Sequence, residues 1–198
     1  MLETQYAKSN PSSFYEVRRV EILYTICFCC YQEDVLMLYR TFPPNVRLLN
    51  GLGGKIEADE TPLASVLREM REEAGIDLLE ASSLFFAGIA TWGLTGYEPV
   101  KGMYIFLAHL SWQQAEQVHA INTPEGLITW KSLAWVCDPN NRLVVSNIPR
   151  LLPLMLKAQT PYEYFYEYES EDSPVESFRQ LVIRPLPSYI VLSECQGW

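Results

Sequence analysis

The sequence has 198 residues, of which 48% are hydrophobic and 13% aromatic, and its net charge is −9. This length suits one domain, and the apolar content excludes a wholly disordered chain. The negative charge is concentrated in 55–80 and 161–176, and no basic stripe follows the path of a nucleic-acid backbone. The apolar runs are too short or too interrupted for a membrane span, and no secretory segment opens the chain. We therefore expect a soluble, cytoplasmic protein without a nucleic-acid polymer or a membrane as partner.

The first third of the chain begins with a polar stretch and continues with strand-forming residues. Residues 1–15 are polar, and we expect them to form a flexible N-terminal segment. Residues 18–30 and 34–39 are rich in β-branched, aliphatic and aromatic side chains, which predicts two strands joined by a tight turn. A proline-containing loop then leads to a glycine cluster at 51–54.

The helix that follows has clear start and stop signals. Thr61 suits the N-cap, Pro62 the first helical position and Gly75 the C-terminal stop. These residues predict a helix over 62–74. At about 100° per residue, one side of it collects the apolar positions that form a core face. They are Leu63, Val66, Leu67, Met70 and Ala74.

Three carboxylates crowd the side of this helix opposite its core face. Glu69 and Glu73 are four residues apart and Glu72 lies between them, so their like charges repel each other. Arg68 can relieve one of them, most naturally Glu72 at i+4. A multivalent cation is the simplest compensation for the rest, and oxygen ligands favour Mg²⁺ or Mn²⁺ over zinc. The alternative is an ordinary solvated acidic face.

The second half of the chain reads as further strands and a second helix. Strands are predicted over 85–92, 102–110 and 127–130, and a helix over 147–157. Residues 113–120 fit either a short helix or a loop. In the tail, alternating side chains over 162–168 predict a strand that could pair with 180–184 as a hairpin. Together these elements predict an α+β fold, an α/β/α sandwich around a central mixed β-sheet.

The domain limits and the tyrosine-rich tail complete this interpretation. We expect one domain over 16–160, with a C-terminal β-hairpin and tail over 161–198 packing on the same domain. The four alternating tyrosines of this tail could form an edge for self-association as a homodimer. The alternative, which we favour, is that they pack on the core of their own domain.

One segment carries a motif of high specificity. Read from Gly54, the sequence GKIEADETPLASVLREMREEAGI resembles the Nudix box, Gx5Ex7REUxEExGU with U a bulky aliphatic, at all nine defined positions. The resemblance implies an α/β/α sandwich whose box forms a strand, a loop and a helix holding divalent metal ions. It also implies an enzyme that hydrolyses nucleoside diphosphates linked to another moiety.

The resemblance assigns roles to individual residues. It makes Glu60 and Arg68 structural supports and Glu72 a further ligand or base. Glu125, in TPEGLITW, matches a glutamate that adds a ligand or general base, although a solvated loop carboxylate is an equal alternative. The catalytic candidates are Glu72, Glu73 and Glu125. The metal ligands implied are the Gly54 carbonyl, Glu69, Glu72 and Glu73.

Within the family, the runs LYTICFCC and LLNGLGGKIE look most like the MutT-type branch, which cleaves nucleoside triphosphates, including oxidised purine ones, to monophosphate and pyrophosphate. Thr25 and Asn50 then match polar positions of the nucleobase site, and Trp92 falls near an aromatic wall. Thr25 could also be an ordinary strand residue, and Trp92 plain core. Arg40 could reach a phosphate, or end its strand in solvent. Ser146-Asn147-Ile148 replaces the paired aspartates of the mammalian enzymes, so their base recognition does not transfer.

Two other functions stay open from the sequence. Cleavage of ADP-ribose or a dinucleotide is disfavoured because the accessory motifs of those branches are not found downstream of the box. A non-catalytic nucleotide-sensing module is disfavoured because the glutamate set is complete and no basic DNA-binding segment is appended.

Overall fold

The computed structural model describes residues 20–94, 100–168 and 180–186. Within those ranges nine strands form one sheet, accompanied by four α-helices. The strands are β1 (Val20–Tyr31), β2 (Asp34–Arg40), β3 (Leu49–Asn50), β4 (Ser83–Leu94), β5 (Val100–His109), β6 (Ile121–Thr123), β7 (Gly126–Ser132), β8 (Tyr162–Tyr168) and β9 (Gln180–Pro185). The helices are α1 (Pro62–Ala74), α2 (Trp112–Gln117), α3 (Leu133–Val136) and α4 (Ile148–Met155), with a 3-10 turn at Leu78–Glu80.

The sheet is mixed. Its order is β6-β7-β2-β1-β5-β4-β8-β9, and β3 pairs with β2 beside this path. β1 pairs with β5, and β4 with β8, in parallel, whereas the other pairings are antiparallel. The register of β2 on β7 places Arg40 opposite Gly126, which brings the end of β2 next to the β6–β7 turn.

Helices cover both faces of this sheet. α1 buries Val66, Met70 and Ala74 against β1, β2 and β5, with Leu63 and Leu67 partly buried beside them. α4 buries its apolar residues, among them Leu151 and Leu152, on the opposite face. The predicted α/β/α sandwich is therefore confirmed. Among the described residues, every helix is too short or too polar to cross a lipid bilayer.

The structure contains the predicted strands and helices, and most of them begin or end at other residues than predicted. The hairpin of β8 and β9 forms as predicted, and the segment left open between helix and loop is helical as α2. Pro149 lies in the first turn of α4 and Pro153 inside it. β3, β6 and α3, of two to four residues each, were not predicted. The turn expected around residues 96–99 lies outside the described residues.

Two of the tyrosines of β8 pack in the core. β8 lies between β4 and β9, so it is an interior strand of the sheet. Tyr164 and Tyr166 are each 1% exposed and belong to the cluster beneath α4. These tyrosines are accounted for by packing within the chain, as favoured from the sequence. Residues 187–198 of the expected tail lie outside the described residues.

The ends of α1 are set by local chemistry, as predicted. The Thr61 side chain accepts a hydrogen bond from the Ala64 N–H at 3.1 Å. Gly75 closes the helix with φ 67°, a left-handed conformation that costs glycine little, and its N–H bonds the Arg71 carbonyl. The predicted limits of the helix are therefore confirmed.

Thr61→Ala should lower the free energy of unfolding by about 1 kcal/mol, because the Ala64 N–H loses its capping acceptor. Urea denaturation of the purified variant measures this change. Thr61→Ser, which keeps the hydroxyl, is the matched control and should stay within about 0.5 kcal/mol of the parent. Equal stability of the alanine and serine variants would contradict the capping role.

Candidate active site

The glycine loop is anchored to β1 by backbone hydrogen bonds. The Thr25 N–H donates to the Gly54 carbonyl at 2.9 Å, and Cys27 and Leu52 exchange bonds of 2.7 and 3.1 Å. Gly53 has φ 137°, and a Cβ there would stand 2.4 Å from the Thr25 carbonyl oxygen. This position therefore requires glycine, and the loop is held close against β1.

Two glutamates of α1 contact this loop. A Cβ at Gly54 would stand 2.4 to 2.8 Å from the carboxylate atoms of Glu69, so that carboxylate lies directly against the glycine Cα. One turn later, Glu73 Oε2 accepts a hydrogen bond from the Gly53 N–H at 2.9 Å. The spacing of four residues thus presents both carboxylates to consecutive loop residues.

Burial dominates the electrostatics of this pair. Burial raises the pKa of Glu73 to about 7, the Gly53 N–H opposes that rise, and the charges of Glu69 and Glu125 add to it. Burial likewise raises the pKa of Glu69, against the Arg68 guanidinium, and Glu125 again contributes. The three carboxylates therefore act on one another through space, although Glu125 is distant in sequence.

Arg68 contacts three carboxylates, two of them from the helix, so the expectation that it relieves only one of the crowded helix glutamates is wrong. Its Nε and Nη2 hold both oxygens of Glu60 at 2.9 and 3.0 Å. Its Nη1 contacts Glu69 at 2.9 Å and Glu72 at 3.1 Å. These hydrogen bonds lower the pKa of Glu60. The planar guanidinium explains this reach, since its five donors point in fixed directions.

Glu125 lies in the β6–β7 turn, beside the end of β2. Its carboxylate forms an ion pair with Arg40 Nη1 at 2.9 Å. Arg40 also donates from Nε to the Pro44 carbonyl at 2.8 Å and from Nη2 to the Pro43 carbonyl at 3.3 Å. In this structure the guanidinium is therefore engaged by protein groups.

The carboxylates are each bonded by the protein. Glu69 and Glu72 accept from Arg68, Glu73 from Gly53, and Glu125 from Arg40. As they stand, no three acidic, histidine or cysteine side chains in the described part of the chain converge closely enough to hold a metal ion.

The expected base-binding residues stand on three different strands, β1, β3 and β4. Thr25 is 3% exposed, and its hydroxyl is 3.3 Å from that of Ser65 in α1, so it is turned toward the helix. Asn50 is half-buried, and its Oδ1 accepts from the Gly51 N–H at 3.0 Å. Trp92 is half-buried on β4 and packs against the cluster beneath α4.

Two features of the site were not predicted from the sequence. Ser65 is fully buried and connects α1 to β1 through its contact with Thr25. Its position between two apolar residues of the helix could have indicated this burial. The pairing of Arg40 with Glu125 spans 85 residues. Nothing local indicates it, since only the register of β2 on β7 brings the two together.

An open cleft borders the site. It has a volume of about 550 Å³ and is lined by Lys55, Ile56, Glu57, Ala58, Arg68 and Glu69. Of its two basic side chains, Arg68 contacts the Glu69 carboxylate, so the cleft offers space and cationic groups beside α1.

Comparisons with known proteins agree with this geometry. A family model described as NUDIX domain matches residues 22–141. A MutT protein from Bacillus halodurans is similar in structure, with a TM-score of 0.62 and 21% identity over 83% of this chain and 98% of that one. No curated protein is similar enough in sequence to count as a match.

Two further solved structures share the fold. A MutT protein from Methanosarcina mazei Go1 has a TM-score of 0.52 and 17% identity, over 71% of this chain and 96% of that one. The NUDIX domain of Shewanella oneidensis NrtR, complexed with ADP ribose, has a TM-score of 0.51 and 17% identity, over 74% and 90%. At these identities the likeness shows the fold.

The family match and the box geometry converge on one segment. The model match covers more than half of the chain, including the glycine loop, α1 and the β6–β7 turn. This match supports an enzyme of the pyrophosphohydrolase class, and the MutT structures share its fold. The chain belongs to the NUDIX family.

Proposed function

We propose that this enzyme is a divalent-metal-dependent pyrophosphohydrolase that cleaves nucleoside triphosphates, oxidised purine ones included, to monophosphate and pyrophosphate. The observation that carries the proposal is the placement of Glu69 against Gly54 and of Glu73 on the Gly53 N–H. Phosphoanhydride hydrolysis requires neutralised phosphate charge and a deprotonated water, and a carboxylate cluster that gathers cations meets both needs.

The residues present fit Mg²⁺ or Mn²⁺ as the cofactor. All donors are oxygens, from Glu69, Glu72, Glu73 and the Gly54 carbonyl, which suits hard divalent cations. The Gly54 carbonyl accepts one hydrogen bond, from Thr25, and keeps a second lone pair. A bound cation would polarise the phosphoanhydride and activate water.

Other residues of the chain would position the ligands, admit the substrate and transfer a proton. Arg68 holds Glu69 in place and ties the helix to Glu60, while the cleft lined by Lys55 admits the anionic substrate. Glu72, whose side chain is 62% exposed, and Glu125, 49% exposed, are free enough to take up a proton from water or to join the ligand set.

Asn50 is our candidate for base recognition. It directly precedes the glycine loop, and while its Oδ1 accepts from Gly51, its amide N–H groups can still donate to a base edge. Asn50→Ala should raise KM for purine triphosphates and reduce discrimination among bases by about 5- to 150-fold, as expected for losing ~1–3 kcal/mol. Relative kcat/KM values across four bases measure this effect.

The control for that experiment is Asn140→Ala, in the exposed turn after α3, which should change no relative kcat/KM value. If Asn50→Ala lowers activity toward every base equally and lowers stability, its side chain serves the loop backbone alone and the recognition role is wrong.

The alternative substrate is ADP-ribose or a dinucleotide. The observation that favours it is the NrtR NUDIX domain, which shares this fold and was solved with ADP ribose. Both substrates present a diphosphate to the same carboxylates, so the metal chemistry would be shared.

A substrate panel tests the proposal. Nucleoside triphosphates, oxidised purine triphosphates, ADP-ribose and a dinucleoside polyphosphate are incubated with the enzyme at fixed Mg²⁺, and phosphate and pyrophosphate are detected. We expect the highest kcat/KM for a triphosphate, with pyrophosphate released. Preferred turnover of ADP-ribose would transfer the assignment to the alternative, and binding without turnover of any member would indicate a sensor.

A further inference from the structure

In the ion pair between Arg40 and Glu125, the arginine side chain is more tightly fixed by other contacts than the glutamate side chain. The Arg40 side chain is 12% exposed and is anchored to the Pro43 and Pro44 carbonyls independently of Glu125. The Glu125 carboxylate is 49% exposed. Arg40 would therefore stay in place if the carboxylate left it, whereas the carboxylate has solvent into which it can swing.

The backbone of Glu125 is fixed while its side chain is not. The Thr41 N–H and hydroxyl donate to the Glu125 carbonyl at 2.8 and 3.1 Å. The Glu125 N–H donates to the Thr123 hydroxyl at 3.2 Å. A change of partner by the carboxylate therefore needs only side-chain rotation, without rearrangement of the turn.

The pair lies within electrostatic reach of the α1 carboxylates. Burial is the main cause of the raised pKa of Glu69 and of Glu73, and the charge of Glu125 raises both pKa values further. Arg40 has the opposite effect on the pKa of Glu73. A cation bound by Glu69 and Glu73 would thus attract Glu125 and repel Arg40.

We propose that Arg40 and the divalent cation compete for the Glu125 carboxylate, so that Arg40 is a positioning residue that holds Glu125 in reserve until the metal binds. The inference rests on the proposed function. In the exchange the Nη1–H···O bond breaks, Glu125 turns to the cation, and Arg40 stays on the two prolyl carbonyls. Its freed N–H then faces the site, where a phosphate oxygen of the substrate can replace the carboxylate.

Mn²⁺ titration followed by electron paramagnetic resonance tests this without turnover. Arg40→Ala should bind Mn²⁺ about 5-fold more tightly than the parent, since a competitor worth about 1 kcal/mol for a partly exposed ion pair is removed. In the Glu125→Gln background the same substitution should change affinity by about 2-fold or less, because only the screened field of Arg40 remains. Arg71 lies on the same helix as the proposed ligands and forms an exposed ion pair with Asp77, which follows the helix. Arg71→Ala should therefore leave the Mn²⁺ affinity unchanged.

The outcomes separate the alternatives. Weaker Mn²⁺ binding by Arg40→Ala, or an equal change in both backgrounds, would overturn the competition. A wild-type crystal soaked with Mn²⁺ provides a readout that needs no variant. There the Arg40 to Glu125 distance should exceed 4 Å, and a retained ion pair near 2.9 Å would contradict the proposal. If the Mn²⁺ experiments contradict the competition while Glu73→Gln is inactive, this inference is wrong and the proposed function stands. If the substrate panel shows no hydrolysis, the proposed function is wrong.

Discussion

Glu73→Gln should reduce kcat by about 10²-fold or more, because the substitution removes an anionic ligand from the site where phosphate charge must be neutralised. Glutamine keeps the shape of the side chain, and its carbonyl oxygen can still accept the Gly53 N–H. The fold should therefore survive. Since burial penalises the charged form of Glu73, the free energy of unfolding should stay equal or rise.

Steady-state kinetics at saturating Mg²⁺ and urea denaturation together measure these two effects. Glu80→Gln, an exposed carboxylate in the 3-10 turn after α1, is the control and should keep parental kcat. Undiminished turnover by Glu73→Gln would refute its role as a ligand. A large loss of stability would show that the charge serves the fold.

Gly54→Ala should lower kcat by about 10²-fold, as a displacement of about 1 Å at a catalytic group does. The added Cβ would stand 2.4 Å from Glu69 Oε1, so the carboxylate must move away from the loop. Arg68 opposes that movement, because its Nη1 holds Glu69 Oε1 at 2.9 Å while its Nη2 donates to the Lys55 carbonyl next to Gly54. The Mn²⁺ affinity should fall together with kcat, which distinguishes a displaced ligand from a blocked substrate.

Gly75→Ala separates this effect from backbone strain. An alanine Cβ at Gly75 meets no atom within 4 Å, but φ 67° disfavours alanine, so we expect a loss of about 1 kcal/mol in stability and parental kcat. Parental Mn²⁺ affinity and kcat in Gly54→Ala would contradict the contact between Gly54 and Glu69 as a requirement of the site.

The parts of the fold that depend on local signals could be predicted from the sequence. α1 occupies the predicted span because each of its limits is set by a local signal, Thr61 and Pro62 at the start and Gly75 at the end. β8 follows from alternating side chains, and β1 and β2 follow from runs of β-branched, aliphatic and aromatic residues. β3 and β6 could not be predicted, because strands of two or three residues exist only through the partners on which they lie.

In the candidate site, too, some features could be predicted from local sequence and others depend on distant segments. The box residues and their spacing place Glu69 and Glu73 without knowledge of the rest of the chain. The three-way contact of Arg68 depends on Glu60, which stands before the helix and is brought back by the loop. The Arg40–Glu125 pair depends on the pairing of β2 with β7, a contact between distant segments that no local pattern encodes.

The most direct test of metal-dependent hydrolysis at this site is ³¹P nuclear magnetic resonance of one reaction. The wild-type protein is mixed with a purine nucleoside triphosphate and Mg²⁺, and EDTA is added at half conversion. We expect resonances of nucleoside monophosphate and pyrophosphate to grow in equal amounts and to stop growing on chelation. Release of nucleoside diphosphate with inorganic phosphate, or turnover that continues in EDTA, would contradict the account.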